Sequence, residues 1–264
     1  MKRVASMLAS LALAATPVVA QQSEAQQPPP PVQAAEESVR TPRENEEMRG
    51  DLMMVRKRFS EAIDIYKGIL EAEPKNSVLY NKVGIAYHQL MDLNQARRYY
   101  ERSIKNDRKY FHAYNNLGTV HYYRKKYGSA IKQYRKALEI REDVPSIHTN
   151  LGYAFYMQKK YDEALLAFTR AVELDPLVFE RRGTGAGSLL QDRSVTDRSL
   201  FYFFLAKTFA MHGNAERCAH YLRKARDEGF KNIAAVEKDP VFTEVLKDPL
   251  VQEVLHAAVM PPPK

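Results

Sequence analysis

Two stretches of this chain read NLGTVHYYRKKYGSAIKQYRKAL (Asn116 to Leu138) and NLGYAFYMQKKYDEALLAFTRAV (Asn150 to Val172). They begin 34 residues apart, and their Leu-Gly, Lys-Lys-Tyr and Ala spacings coincide. Working outward from Gly118 and Gly152 at the same period, Gly84 and Gly50 fall into register. Twelve residues after each glycine stands an alanine: Ala62, Ala96, Ala130 and Ala164. Four residues further stands an aromatic, Tyr66, Tyr100, Tyr134 or Phe168, and three beyond it Ile69, Ser103, Ala137 or Ala171. Pro74 and Pro176 close the first and fourth units.

Within each unit, apolar residues recur at three- and four-residue intervals in two blocks separated by a short polar break. That pattern predicts two amphipathic helices of about 13 residues joined by a tight turn. Small residues at fixed places let the helix axes approach closely, and the aromatic fills the space beside them. No single unit can bury its apolar face, so the units must stack into an all-α solenoid. The units run over 43–76, 77–110, 111–144 and 145–178.

With Gly, Ala and aromatic at these spacings, the chain resembles the tetratricopeptide repeat family. A degenerate fifth unit follows over 199–232, with Ala206 in place of the glycine and Cys218 in place of the alanine. After it come KDPVFTEVL and KDPLVQEVL, each placing an Asp N-cap and a first-turn proline before an apolar block. They predict short helices over 233–258 that close the end of the stack.

The N-terminus differs from the rest. MKRV and the uncharged run MLASLALAATPVV, followed by small residues before Gln21, have the layout of a secretory signal peptide over 1–20. Export to the periplasm or cell envelope is the expectation, with membrane contact only through that segment if it is uncleaved. Residues 21–42, rich in Gln, Pro and Glu, read as a disordered tether. The chain of 264 residues carries a net charge of +8, which becomes +6 when Lys2 and Arg3 are removed. Its basic pairs, such as Arg97-Arg98 and Lys159-Lys160, are interleaved with acids, so a solvated surface is expected rather than a nucleic-acid partner. The single cysteine, Cys218, excludes an intramolecular disulfide and reads as a small core residue.

The motifs of zinc proteases, serine hydrolases and phosphate loops are absent. The string GTGAGS (Gly183 to Ser188) lacks the third glycine and preceding strand of a dinucleotide site. It belongs to an insertion over 179–198 that offers Arg181, Arg182 and Arg193 for ligand contact. His121 and His148 stand at positions usually held by core aromatics. No enzyme, cofactor or metal site is expected.

The resemblance implies that the first helix of each unit lines a concave groove. Carried over by register, the groove would show Asn81, Lys82, Ile85 and His88, then His112, Asn115, Asn116, Thr119 and Tyr122, then Thr149, Asn150, Tyr153 and Tyr156. In some members of the family, asparagines at the position of Asn116 and Asn150 hydrogen-bond the backbone of an extended peptide. A carboxamide both donates and accepts, so it can pair with any peptide unit. The alternative is that asparagine belongs to this helix turn and binds nothing. Lys82 and Phe204 break the series, and Glu47 with Asp51 would repel a terminal carboxylate. The expected function is a non-enzymatic adaptor holding a protein or peptide segment in the groove. A second reading is a recognition subunit of an envelope polysaccharide or peptidoglycan system, stacking glycan on Tyr122, Tyr153 and Tyr156. The sequence leaves the oligomeric state open.

Overall fold

A computed structural model describes residues 41–180 and 197–257. The expected leader, the tether up to residue 40, and the part of the insertion holding Arg181, Arg182, Arg193 and GTGAGS lie outside the described residues.

Among the described residues there is no strand. Ten α-helices form five antiparallel pairs: α1 (Pro42–Val55) with α2 (Phe59–Ala72), α3 (Ser77–Gln89) with α4 (Leu93–Asn106), and α5 (Phe111–Tyr123) with α6 (Tyr127–Ile140). The last two are α7 (Pro145–Met157) with α8 (Tyr161–Leu174) and α9 (Arg198–Met211) with α10 (Ala215–Asp227). Each second helix packs on the first helix of the next pair, and first helices also touch one another, as α3 touches α5 and α5 touches α7. The fold is an all-α solenoid.

The repeated Gly and aromatic explain one another. A Cβ on Gly118 would lie 2.5 Å from the Tyr134 ring, and one on Gly84 would lie 2.6 Å from Tyr100. Tyr66, Tyr100, Tyr134 and Phe168 are fully buried, as are the alanines at 62, 96, 130 and 164. In the fifth pair both sizes change together: Ala206 replaces the glycine and the smaller Leu222 replaces the ring, both fully buried. Cys218 is fully buried at the alanine position, and burial pushes its thiol up to about 12, which removes thiolate chemistry.

Chain entry is capped early. Thr41, at the end of the expected tether, is the N-cap of α1 and forms a capping box with Glu44. Every turn within a pair ends its first helix in the same way. Lys57, Met91, Lys125, Lys159 and Gly213 hold φ between 58° and 64°. In the third pair Lys126 N–H donates to His121 O at 2.9 Å and Lys125 N–H to Tyr122 O at 2.8 Å, a Schellman closure.

The two ends of the stack are closed differently. At the C-terminal end, the Phe203 ring stacks on Phe230 at 4.5 Å, and Lys207 pairs with Asp239 at 2.7 Å. Asp239 and Asp248 cap as their Asp-Pro pairs imply, accepting from Val241 N–H and Leu250 N–H. Only the second block makes an α-helix, α11 (Pro249–His256); the first is the 3₁₀ turns Pro240–Phe242 and Val245–Lys247. At the other end, Glu46 and Arg49 stand where the next unit has Tyr80 and Val83, beside a cleft of about 500 Å³ that Pro42, Ile65 and Gly68 also line.

Candidate functional site

The first helices α1, α3, α5, α7 and α9 place their carboxamides in register, and the structure uses those carboxamides between helices. Asn116 Nδ2–H donates to Asn81 Oδ1 at 2.9 Å, and Asn150 Nδ2–H donates to Asn115 Oδ1 at 3.0 Å. Both pairs are 35 residues apart, so the sixth position of one unit meets the fifth position of the unit before. All four side chains are buried, with at most 1 % exposure. Asn81, Asn115, Asn116 and Asn150 are therefore corrected from groove contacts to rungs that join neighbouring units. A peptide backbone has no access to them.

Lys82 occupies the same rung one unit earlier, with different chemistry. Its Nζ lies 2.8 Å from Glu47 and 2.6 Å from Asp51, and Glu47 is again 35 residues away. The acids that would repel a carboxylate thus hold Lys82, and Asp51 also accepts from the Tyr66 hydroxyl at 2.6 Å. At the last junction Phe204 leaves the polar series and stacks its ring on Tyr161 at 4.9 Å.

The tyrosines offered for stacking are corrected in the same way. Tyr122, Tyr153 and Tyr156 are no more than 5 % exposed. Tyr153 stacks on Phe201 at 5.1 Å, Tyr122 packs against Tyr127 at 5.3 Å, and Tyr156 meets Tyr161, Phe201 and Phe204. Their ring faces are covered by protein, so no sugar can stack on them, and the glycan reading loses its residues. Thr119 and Thr149 are fully buried and bond to backbone carbonyls of their own helices, from Asn115 and Pro145.

His88 is also closed in, with its ring edge-on to Tyr123 at 5.4 Å and Nδ1 without a partner. Burial lowers its pKa to about 4, so it is neutral at pH 7. His112 is half-buried against Phe111, and its pKa is lowered by burial and by Arg141.

What remains accessible on these helices is a row of which the register names His112 and Ile85 but not the rest. Val78 (39 % exposed), His112, Ser146 and Leu200 share the second position of their units, with half-buried Ile85 two turns from Val78. Among the described residues, no cluster of His, Cys, Asp and Glu could hold a metal ion, and no helix is long and apolar enough to cross a membrane.

Family profiles of the tetratricopeptide repeat match residues 78–110 and 145–176, and a TPR-repeat profile matches 120–159. These matches fall on pairs whose stacking and Gly–aromatic contacts are described above. The chain is a tetratricopeptide repeat protein. No curated protein matches it by sequence. Among solved structures, PilF of Pseudomonas aeruginosa is similar at 15 % identity and a TM-score of 0.53, over 80 % of this chain and 88 % of that one. A MamA protein is similar at 19 % identity and a TM-score of 0.50, over 73 % and 94 % of the two chains. MamA 41-end from Desulfovibrio magneticus RS-1 gives 16 % identity and a TM-score of 0.50, over 72 % and 96 %. The shared feature is the fold.

Proposed function

We propose that this tetratricopeptide repeat protein is a non-catalytic adaptor of the cell envelope that holds a segment of a partner protein along its first-helix face. The observation that carries the reading is the row at the second position of the units, with Val78 and His112 on the touching helices α3 and α5 and Ser146 next on α7. The carboxamides being committed to the stack, the segment is held by side-chain contacts along this row rather than by a backbone ladder. Location in the envelope rests on the leader-like residues 1–20.

The test is recovery of partners from an envelope fraction by the protein beginning at Gln21, compared with a Val78→Asp and Leu200→Asp variant. Val78 is 39 % exposed while Leu200 packs partly on the core, so a melt of the variant accompanies the capture and only a loss at unchanged melting temperature counts. Specific partners captured by the wild type and lost by the variant support the proposal. Equal recovery by both proteins would place binding elsewhere.

A further inference from the structure

The basic residues that look scattered in the sequence are gathered by the fold onto one edge. That edge is the row of turns within helix pairs. Over residues 55–58, 89–92, 123–126 and 157–160 it carries eight cations and one acid: Arg56, Lys57, Arg58, Arg124, Lys125, Lys126, Lys159 and Lys160 against Asp92. Among the described residues only Arg58 of these forms an ion pair, with Glu61 on the adjoining helix; Asp162 and Glu163 also stand close by in sequence. The acid Asp92 is occupied as the N-cap of α4, accepting from Gln95 N–H at 3.0 Å.

The second, third and fourth turns touch in succession. Arg124 donates to Asn94 at the start of the preceding second helix, and Gln158 lies equivalently beside Gly128. The same turns carry large apolar side chains in water. Val55 is 80 % exposed, Met91 63 %, Leu90 45 %, Tyr123 44 %, and Met211 in the fifth turn 46 %. The Schellman closure holds residues 57, 91, 125 and 159 in the left-handed conformation at every turn, so each unit presents its tip in the same way.

Cations alternating with protruding apolar tips fit an interface, because a charged headgroup layer overlies hydrocarbon. An acidic polymer in water would match the lysines and leave Val55 and Met91 uncovered. We infer that this edge docks on an anionic lipid surface, with the lysines among headgroups and Val55, Met91 and Tyr123 dipping below them. The inference is independent of the segment-binding reading, which uses a different row on the first helices.

The test is co-flotation of the protein beginning at Gln21 with vesicles. This form lacks the apolar run at the N-terminus and keeps the core, whose first buried apolar residue is Met53. Binding is expected to vesicles of phosphatidylcholine mixed with phosphatidylglycerol, not to phosphatidylcholine alone, and to weaken as salt rises. Changing Lys57, Lys125, Lys126, Lys159 and Lys160 together to Gln should lower the partition coefficient by about a hundredfold or more. Val55→Ser with Met91→Ser should lower it by about tenfold. A control that changes Lys75, Arg108, Lys109 and Arg141 on the opposite edge to Gln removes a similar charge and should bind nearly as the wild type. Absence of flotation with the anionic vesicles would overturn the inference. Equal loss in the control would also overturn it, since net charge rather than placement would then govern binding. Salt-sensitive binding to soluble polyglutamate without vesicle binding would assign the edge to an acidic protein instead.

Discussion

Two kinds of rung join the first helices, and they stand in the same register. Between the first and second units Lys82 meets Glu47 and Asp51; between the next units Asn116 meets Asn81, then Asn150 meets Asn115. The ionic rung is partly open to solvent, with the Lys82 side chain 24 % exposed and Asp51 49 %. The carboxamide rungs are closed off. The difference follows from the cost of dehydration: an ion pair loses more on leaving water than its attraction returns, whereas a neutral amide needs only a partner. Charge therefore stands at the end of the stack, where water reaches, and amide inside it.

The largest effect should come from acid at the second junction. His88 has its pKa lowered to about 4 by burial, against about 6.5 when unfolded. The unfolded chain takes up the proton first, so stability is full above pH 6.5 and is lost as pH falls towards 4, by up to about 3 kcal/mol. His112, His121, His148 and His220 are shifted in the same direction and add to the loss. Melts from pH 7 to 4.5 should show the decline, and His88→Leu should flatten it.

Asn150→Leu comes next, because it leaves Asn115 Oδ1 buried without its donor, at a cost of about 2 kcal/mol. In a stacked array the break is local, so hydrogen exchange should rise at the third and fourth units first. Lys82→Met should cost about 1 kcal/mol or less, shrink further in high salt, and loosen only the first unit. Equal costs and equal spread for these two variants would erase the contrast between rungs.

Tyr100→Phe sharpens it from within a unit. Tyr66 donates to Asp51 and Tyr134 to Thr119 at 3.2 Å, each 15 residues back. The same position opposite Tyr100 is Ile85, and the Tyr100 hydroxyl is buried without a partner. Removing it should raise stability by about 0.5 kcal/mol. A chemical denaturation curve reads that gain, and a loss would mean the hydroxyl has a partner.

The repeat and the small-residue contacts were legible from Gly84, Ala96, Tyr100 and their copies, since at that spacing a small residue and a ring fit one another. The use of the asparagines was not, because register tells which helix face a residue occupies and not how tightly the next unit closes over it. A signal was nevertheless present: Glu47 with Lys82, Asn81 with Asn116 and Asn115 with Asn150 are complementary pairs at one constant separation of 35 residues. The basic edge was hidden for another reason. Arg56 and Lys159 are about a hundred residues apart in sequence, and acids stand between them on other faces.

The central claim is that the asparagines opening each copy hold the stack together. A double-mutant cycle on Asn81 and Asn116, read by equilibrium unfolding, tests it most directly. Asn81→Leu and Asn116→Leu should each destabilise by about 1–3 kcal/mol, and the double variant by clearly less than their sum, since neither partner is then left unpaired. Additive losses would contradict the claim, and negligible losses with binding of a partner segment weakened would return both residues to the groove.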